Sequence, residues 1–251
     1  MLRLDGDMSR GARPTTPLYV CKCITGGAVR QPIFCKIGVP ASHKVLQGHV
    51  ALLPLFDHGA VAALLKCKQG RAGDAPLLGL IAAFIFAAQM LNFPIAAGTS
   101  GHFLGAALAV TLLGPAGTMI VFTIVLTAQC LLFSDGGLTA LGTNIVNMGL
   151  VGGGISWLVF SFLRAALPKN RAAFLASAGV AAWASVVSAA SACALELAVS
   201  NTVPLWVALP AMAGIHALIG VGEAIVTIAA LSVVLAARPD LVRAWKQGVP
   251  A

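Results

Sequence analysis

Unbroken apolar runs, each long enough to cross a lipid bilayer, constrain this chain more than any other feature. In the longest of them, residues 206–236, Glu223 is the only side chain with a formal charge. A helix needs about 20 mostly apolar residues to span roughly 30 Å of hydrocarbon. Because lipid satisfies no backbone hydrogen bonds, a spanning chain is either helical or a closed barrel. The runs lack the alternation of barrel strands, so they predict an all-α integral membrane protein.

The composition excludes a soluble domain. The chain is 59% hydrophobic and only 10% charged, whereas soluble domains carry about a quarter charged residues. Its net charge of +8 does not indicate nucleic-acid binding, because the Lys and Arg residues lie in short loops and near the ends, without interleaved aromatic residues. The predicted environment is therefore the lipid bilayer, and no nucleic-acid partner is expected.

The apolar runs predict a bundle of six or seven transmembrane helices. The first, at about 49–65, is weak because it contains Pro54, Asp57 and His58. The run at about 103–113 is long enough for only half a bilayer. The remaining spans are predicted at about 76–94, 116–133, 144–163, 173–199 and 206–236.

The loop charges indicate an orientation for these helices. Nine basic residues form three clusters between and after the spans: Lys66, Lys68 and Arg71; Arg164, Lys169 and Arg171; Arg238, Arg243 and Lys246. All three clusters fall on one side only if the short run 103–113 counts as a crossing. By the positive-inside rule that side is the cytoplasm. This predicts a multi-pass protein of the cell inner membrane with a cytoplasmic C-terminus.

Residues 1–45 differ from the remainder of the chain and are predicted to be a basic leader, either disordered or misassigned. They hold seven of the sixteen Lys and Arg residues and no apolar run of the kind that makes a signal peptide. Cys21, Cys23 and Cys35 do not match a standard zinc spacing. The predicted membrane domain covers 46–240, and residues 241–251 form a cytoplasmic tail.

Polar residues within or beside the spans are the candidates for function, because they are costly in lipid. His102 closes the loop Gly98–Thr99–Ser100–Gly101–His102 at the outer end of a span. It is either a loop histidine bonded to backbone or a ligand for a cation such as Ni²⁺ or Co²⁺, which neutral imidazole suits.

A second polar group follows Asp135. Asn144 and Asn147 are three residues apart and would share a helical face. Their amides either bond a neighbouring helix or orient a metal-binding imidazole, and the second interpretation is preferred because this face and His102 lie at the outer ends of their spans. Glu196 is expected to be a lone charge that reaches the membrane surface.

The last span carries an intramembrane polar pair whose role the sequence leaves open. His216 and Glu223 are seven residues apart, which places them on one face, and Gly220 and Gly222 between them permit close helix approach. A packed contact between helices is favoured over proton coupling. The chain has neither a phosphate-binding G-x-x-x-x-G-K-[ST] motif nor H-E-x-x-H, so it is not expected to be an enzyme.

From Pro76 onward the chain resembles the CbiM/NikM family, the substrate-specific membrane components of energy-coupling-factor transporters, a class of ABC transporter, for cobalt and nickel. Three runs carry the resemblance: PLLGLIAAFIFAAQMLNFPIAAGTSGHFLGAAL, FSDGGLTALGTNIVNMGLVG and HALIGVGEAIVT. They cover about 76–240. The combination of the G-T-S-G-H loop with D-G-G-L-T-A-L-G-x-N-x-x-N-M is specific to that family.

The resemblance implies that membrane domain 46–240 transports Co²⁺ or Ni²⁺ as substrate, with no permanently bound cofactor. It implies His102 as a metal ligand, with Thr99, Ser100, Asp135, Asn144 and Asn147 shaping or supporting the site. It also implies three kinds of partner: a small membrane subunit of the CbiN/NikN type, a transmembrane coupling protein and cytoplasmic ATPase subunits.

The chain departs from the family pattern at its start. The family begins Met-His, and its terminal amine, an amide nitrogen and the imidazole complete the metal site; here position 2 is Leu2. Three explanations are open. The start is mispredicted or frame-shifted, His43, His49 or His58 substitutes, or tight metal binding is lost. The first is preferred, because a terminal amine and an amide nitrogen are hard to replace.

Two other functions compete with metal uptake. A component of the same build for an organic solute such as a vitamin would show no metal dependence on His102. A membrane scaffold without transport activity would tolerate loss of His102 but not bulky residues at Gly220 or Gly222. The loop that ends in His102 favours the metal carrier, since a scaffold has no need for it.

Overall fold

The computed structural model describes residues 74–94, 100–133 and 137–246. In chain order the elements are α1 (Asp74–Gln89), β1 (Asn92–Pro94), β2 (Ser100–His102), α2 (Ala106–Phe133), α3 (Gly137–Asn144), α4 (Gly153–Ala166), α5 (Arg171–Val199), α6 (Leu205–Ala237) and α7 (Arg243–Lys246). The π-helical segment Ile145–Gly152 joins α3 to α4, and a 3₁₀ turn, Pro239–Leu241, follows α6. The predicted leader and the predicted span at about 49–65 lie outside the described residues.

Long apolar helices dominate the described part of the chain. Four are long and apolar enough to cross a membrane: Ala106–Phe133, Ala140–Ala166, Arg171–Val199 and Leu205–Ala237. Helix α1 is apolar but shorter. Large side chains such as Leu132 and Leu218 are about three-quarters exposed on the outside of the bundle, at 74% and 75%. This pattern is expected when lipid surrounds the bundle and small residues lie between its helices. It confirms the predicted helical membrane fold.

Helices α5 and α6 form the most extensive helix pair. Helix α5 begins after Asn170, whose Oδ1 accepts a hydrogen bond from Ala173 N at 2.8 Å, a standard N-cap. It ends before Asn201, whose φ of 56° lies in the left-handed region that terminates many helices. The short connection that follows leaves α6 antiparallel to α5.

Small residues let α5 and α6 approach closely. A Cβ at Gly220 would lie 2.9 Å from Trp183 Cδ1, and a Cβ at Gly179 would lie 2.7 Å from Ile228 Cδ1. The Trp183 indole N–H donates to the Ala217 carbonyl oxygen at 3.0 Å. Glycine at these positions therefore brings an indole and a backbone carbonyl within hydrogen-bonding distance across the pair.

Helix α2 is broken at Gly114, which has φ 79° and ψ 174°. The part before the break, Ala106–Leu113, is about 12 Å long at 1.5 Å per residue. Its length agrees with the half-bilayer helix expected at 103–113. Arg243 Nη1 donates to the Leu113 carbonyl oxygen at 3.2 Å, and so binds a carbonyl at a helix end, where intrahelical partners are missing.

The contacts of Arg243 place the Gly114 break at one end of the bundle, which we call the basic face. The ends of α4 and α6 and the start of α5 lie there too: Arg171 Nη2 donates to the Ser232 carbonyl oxygen at 2.9 Å, and the Phe174 ring packs on Trp245 with centroids 5.1 Å apart. Every Lys and Arg of the described residues belongs to a segment at this face.

The other end of α2 lies at the opposite end of the bundle, beside the end of α1. Gln129 Nε2 donates to Gln89 Oε1 at 3.0 Å, and the rings of Phe86 and Phe133 are 5.4 Å apart. The chain therefore descends through Ala106–Leu113 to the basic face and returns through the rest of α2. This path agrees with the interpretation of 103–113 as a thin crossing.

Two sequence-based boundaries need correction. The span predicted at 76–94 ends as a helix at Gln89, because Asn92–Pro94 pairs with Ser100–His102 in an antiparallel hairpin. The all-α description therefore omits a short two-stranded sheet. The helix predicted to begin at Asn144 begins instead at Gly137, and the π-helical segment continues it into α4.

Candidate metal-binding site

The histidine of the predicted metal loop lies at the end of the hairpin. In the sheet register, Asn92 is the partner of His102 and Pro94 the partner of Ser100. The His102 side chain is partly buried, and its Nδ1 lies 2.8 Å from the Phe103 carbonyl oxygen. An Nδ1–H that donates to this carbonyl fixes the neutral tautomer in which Nε2 carries the lone pair. Nε2 is then the nitrogen able to coordinate a cation.

A buried carboxylate from α6 binds the backbone directly after Phe103. Leu104 N donates to Glu223 Oε2 at 3.0 Å, and Gly105 N donates to Glu223 Oε1 at 2.6 Å. Glu223 is 3% exposed, so these bonds are shielded from lipid and water. The two N–H groups directly precede α2, where the helix dipole favours an anion. Glu223 therefore acts as a cap for a helix 118 residues earlier in the chain.

A buried glutamine of α1 binds the same backbone segment and is itself bound by a buried glutamine of α2. Gln89 Nε2, at the end of α1, donates to the Leu104 carbonyl oxygen at 3.1 Å. Gln89 Oε1 accepts in turn from Gln129 Nε2. Each glutamine is 1% exposed. The N–H and the C=O of Leu104 are thus both bound by side chains from other helices, and we call Gln89, Leu104, Gly105, Gln129 and Glu223 the Leu104 junction.

Close packing completes the Leu104 junction. A Cβ at Gly152, in the π-helical segment, would lie 2.8 Å from Leu104 Cδ2, and one at Gly222 would lie 3.1 Å from Phe103 Cε1. Gly105 has φ +81°, and a Cβ there would lie 2.7 Å from Ile85 Cγ1. The segment 103–105 is therefore held by contacts from α1, the π-helical segment and α6.

The asparagine face lies on the π-helical side of the bundle. Asn147 is 4% exposed, and its Nδ2 donates to Glu196 Oε2 of α5 at 2.8 Å. The expectation that Glu196 is a lone charge is therefore wrong, because it joins the π-helical segment to α5. Asn144, the last residue of α3, is partly buried. Asn147 thus makes the helix–helix hydrogen bond that the sequence analysis weighed as one of two alternatives.

The two side chains of the intramembrane polar pair in α6 bind different partners. His216 is 8% exposed, and its Nδ1 lies 2.7 Å from the Met212 carbonyl oxygen, one turn earlier in the same helix. Glu223 instead binds the backbone before α2. Of the two, Glu223 is the residue that contacts the segment following His102.

The structure brings together only part of the predicted site. Thr99 and Asp135 lie outside the described residues, and Ser100 lies in β2 beside His102. Within residues 74–94, 100–133 and 137–246, no three His, Cys, Asp or Glu side chains form a group that could hold a metal ion. His102 is therefore the candidate ligand that the described part of the chain supplies.

The glutamines and the backbone groups of the Leu104 junction were not among the predicted site residues. Gln89 and Gln129 each stand inside an apolar run, where an amide without a partner is costly, and that isolation was the available signal. The backbone N–H groups of Leu104 and Gly105 offered no such signal, because every residue other than proline has a backbone N–H.

Comparison with known proteins decides the family. Residues 45–241 match the CbiM family, described as the cobalt uptake substrate-specific transmembrane region. The chain belongs to this family. A relative from Archaeoglobus fulgidus, provisionally named a fused nickel transport protein NikMN, is 45% identical over 66% of this chain and 55% of its own length. The chain thus spans about half the length of that relative.

Other similar proteins agree with this assignment. A relative from Haloquadratum walsbyi, provisionally named a metal transport protein, is 41% identical over 73% of this chain and 84% of its own length. A crystal structure of a transition metal transporter is 28% identical with a TM-score of 0.71, covering 80% of this chain and 93% of that one. Together with the four apolar helices, the family assignment makes this a multi-pass membrane protein.

Proposed function

We propose that this CbiM-family chain is the metal-recognising membrane component of an ATP-driven cobalt or nickel uptake transporter. The transported Co²⁺ or Ni²⁺ is its substrate, and His102 Nε2 is one ligand. The chain itself is not an enzyme, since partner subunits hydrolyse ATP. The bundle has six or seven spans, counting the predicted segment at about 49–65, and the basic face with the C-terminus is cytoplasmic.

The observation that carries this proposal is the orientation of the His102 ring. Its Nδ1 is 2.8 Å from the Phe103 carbonyl oxygen. In metal sites the non-coordinating nitrogen of a histidine is commonly held by a carbonyl or carboxylate in this way. The ring is therefore oriented before any ion arrives, and Nε2 binds without a tautomer change. Imidazole nitrogen suits both Co²⁺ and Ni²⁺.

The remaining ligands come from outside the described side chains. His43, His49 and His58, which precede the described residues, are candidate imidazole ligands. Thr99, Ser100, Asp135, Asn144 and Asn147 shape or support the site. Replacing each of the three histidines by alanine and measuring Ni²⁺ and Co²⁺ affinity tests whether one of them ligates. Unchanged affinity in all three variants would favour a misassigned start of the chain.

The proposed partners are a small CbiN/NikN-type membrane subunit, a transmembrane coupling protein and cytoplasmic ATPases. Two relatives, from Archaeoglobus fulgidus and Rhodobacter capsulatus, bear the name NikMN and are called fused. Those names support a NikN-type partner for this chain. Co-purification of the tagged chain with each subunit in detergent tests the assembly directly.

The decisive experiment measures cellular uptake of radioactive nickel and cobalt by the full chain co-expressed with CbiM-type partner subunits. His102→Ala is expected to abolish uptake while the amount of protein in the membrane stays constant. Thr111→Val is the control, because the Thr111 hydroxyl bonds only carbonyls of its own helix turn, those of Ala107 and Leu108. Undiminished uptake by His102→Ala would contradict the proposal.

A further inference from the structure

The backbone that follows His102 is held by more hydrogen bonds from other helices than a surface loop needs. Four hydrogen bonds converge on the Leu104 junction, and their side chains come from α1, α2 and α6. Both Glu223 oxygens accept hydrogen bonds from backbone N–H groups. An ionisable side chain buried within the membrane is costly, so its retention at this point calls for a role.

We propose that Glu223 is a positioning residue for metal capture: through the Leu104 junction it fixes the backbone that presents His102. Only Phe103 separates His102 from Leu104, and the Phe103 carbonyl oxygen, which accepts a hydrogen bond from the His102 ring, belongs to the same peptide group as Leu104 N. Any shift of Leu104 N therefore moves the carbonyl that orients the imidazole. This inference rests on the proposed function of His102 as a metal ligand. It adds a residue that touches neither the ion nor the imidazole.

The geometry leaves the Leu104 peptide little freedom. Its N–H is bound by α6, its C=O by α1, and its side chain lies where a Cβ at Gly152 would approach to 2.8 Å. Phe103 is packed against Gly222, the neighbour of Glu223. Because the restraints come from different helices, the segment cannot rotate as a unit without breaking at least one of them. A fixed imidazole loses less conformational freedom on binding a cation.

The test uses the purified full-length chain and the variants Glu223→Gln and Glu223→Asp. In Glu223→Gln an NH₂ group, which cannot accept a hydrogen bond, replaces one of the two oxygens that accept from Leu104 N and Gly105 N, so one bond is lost. Glu223→Asp keeps both carboxyl oxygens on a side chain one methylene shorter. We expect Glu223→Gln to weaken Ni²⁺ or Co²⁺ binding at least tenfold, with a smaller loss for Glu223→Asp and none for Thr111→Val.

Two further measurements separate positioning from general damage. The visible absorption spectrum of bound Co²⁺ reports the ligand set, and at saturating Co²⁺ it should differ between Glu223→Gln and the native chain. Hydrogen–deuterium exchange without metal should rise in the peptide covering 100–108 and stay constant in α5. Unchanged affinity, or weakened affinity with an unchanged Co²⁺ spectrum and unchanged exchange at 100–108, would overturn the inference.

The same experiment distinguishes failure of the inference from failure of the proposed function. If the native chain binds metal, His102→Ala does not, and Glu223→Gln binds as tightly as the native chain, only the inference about Glu223 is wrong. If His102→Ala binds metal as tightly as the native chain, His102 is not a ligand. The proposed role of Glu223 in metal capture is then wrong as well. Exchange at 100–108 then shows whether Glu223 holds the backbone at all.

Discussion

The Glu223 carboxylate accepts a hydrogen bond from Gly105 N at 2.6 Å, across 118 residues of sequence. The bond joins the middle of the last long helix to the residue just before α2. Since α2 begins with the short helix that descends to the basic face, this contact sets the depth at which that helix starts. Residues far apart in the chain thereby determine where the loop ending in His102 enters the bundle.

Gly105→Ala is expected to destabilise the protein by about 2–4 kcal/mol. Alanine resists the positive φ of +81°, and its Cβ would lie 2.7 Å from Ile85 Cγ1. Thermal unfolding in detergent measures the loss. The matched control is Gly79→Ala in α1, where a Cβ meets nothing within 4 Å. Equal melting temperatures for the two variants would contradict the strain assigned to Gly105.

Gln89 and Gln129 are expected to be energetically coupled. Gln129→Leu leaves Gln89 Oε1 buried without its donor, at a cost of about 1–3 kcal/mol. In a Gln89→Leu background that cost should shrink, because the acceptor is already gone. A double-mutant cycle on thermal stability should therefore give a coupling of about 0.5–1.5 kcal/mol. Strict additivity would show that the two amides do not interact.

Gly220→Leu is expected to push α5 and α6 apart. A side chain there meets Trp183 at once, including its Cα at 3.4 Å, and overpacking of this kind costs about 1–3 kcal/mol. The indole bond to the Ala217 carbonyl oxygen would break, so Trp183 fluorescence should shift. Gly214→Leu, on the same helix with nothing within 4 Å, serves as control. A stable Gly220→Leu with an unshifted spectrum would contradict the close packing.

The basic face is expected to be cytoplasmic. In a cysteine-free background, a membrane-impermeant maleimide added to intact cells should label Asn201→Cys and not Lys169→Cys. Both positions are exposed and lie at opposite ends of α5. Inverted membrane vesicles should give the reverse result. Labelling of Lys169→Cys from outside would overturn the orientation.

Much of the fold could be predicted because lipid imposes simple requirements on a chain. The predicted spans at 173–199 and 206–236 differ from α5 and α6 by two residues or fewer at each end. The half-length helix before Gly114 was also predictable, since glycine and proline end an apolar run there. The hairpin was not predictable, because two strands of three residues each are too short to leave a periodic pattern in the sequence.

The sequence by itself determined a helical membrane protein, its family and the candidate ligand His102, because hydrophobic length and a specific motif are local properties of the chain. Only the tertiary structure decided what Glu223, Gln89 and Glu196 bind. Each carries a polar group that must find a partner in a medium without water, and the sequence does not specify which distant helix provides it. Which helix provides each partner follows from how the helices pack. This packing places the hydrogen bonds of the Leu104 junction on the backbone that follows His102 and Phe103.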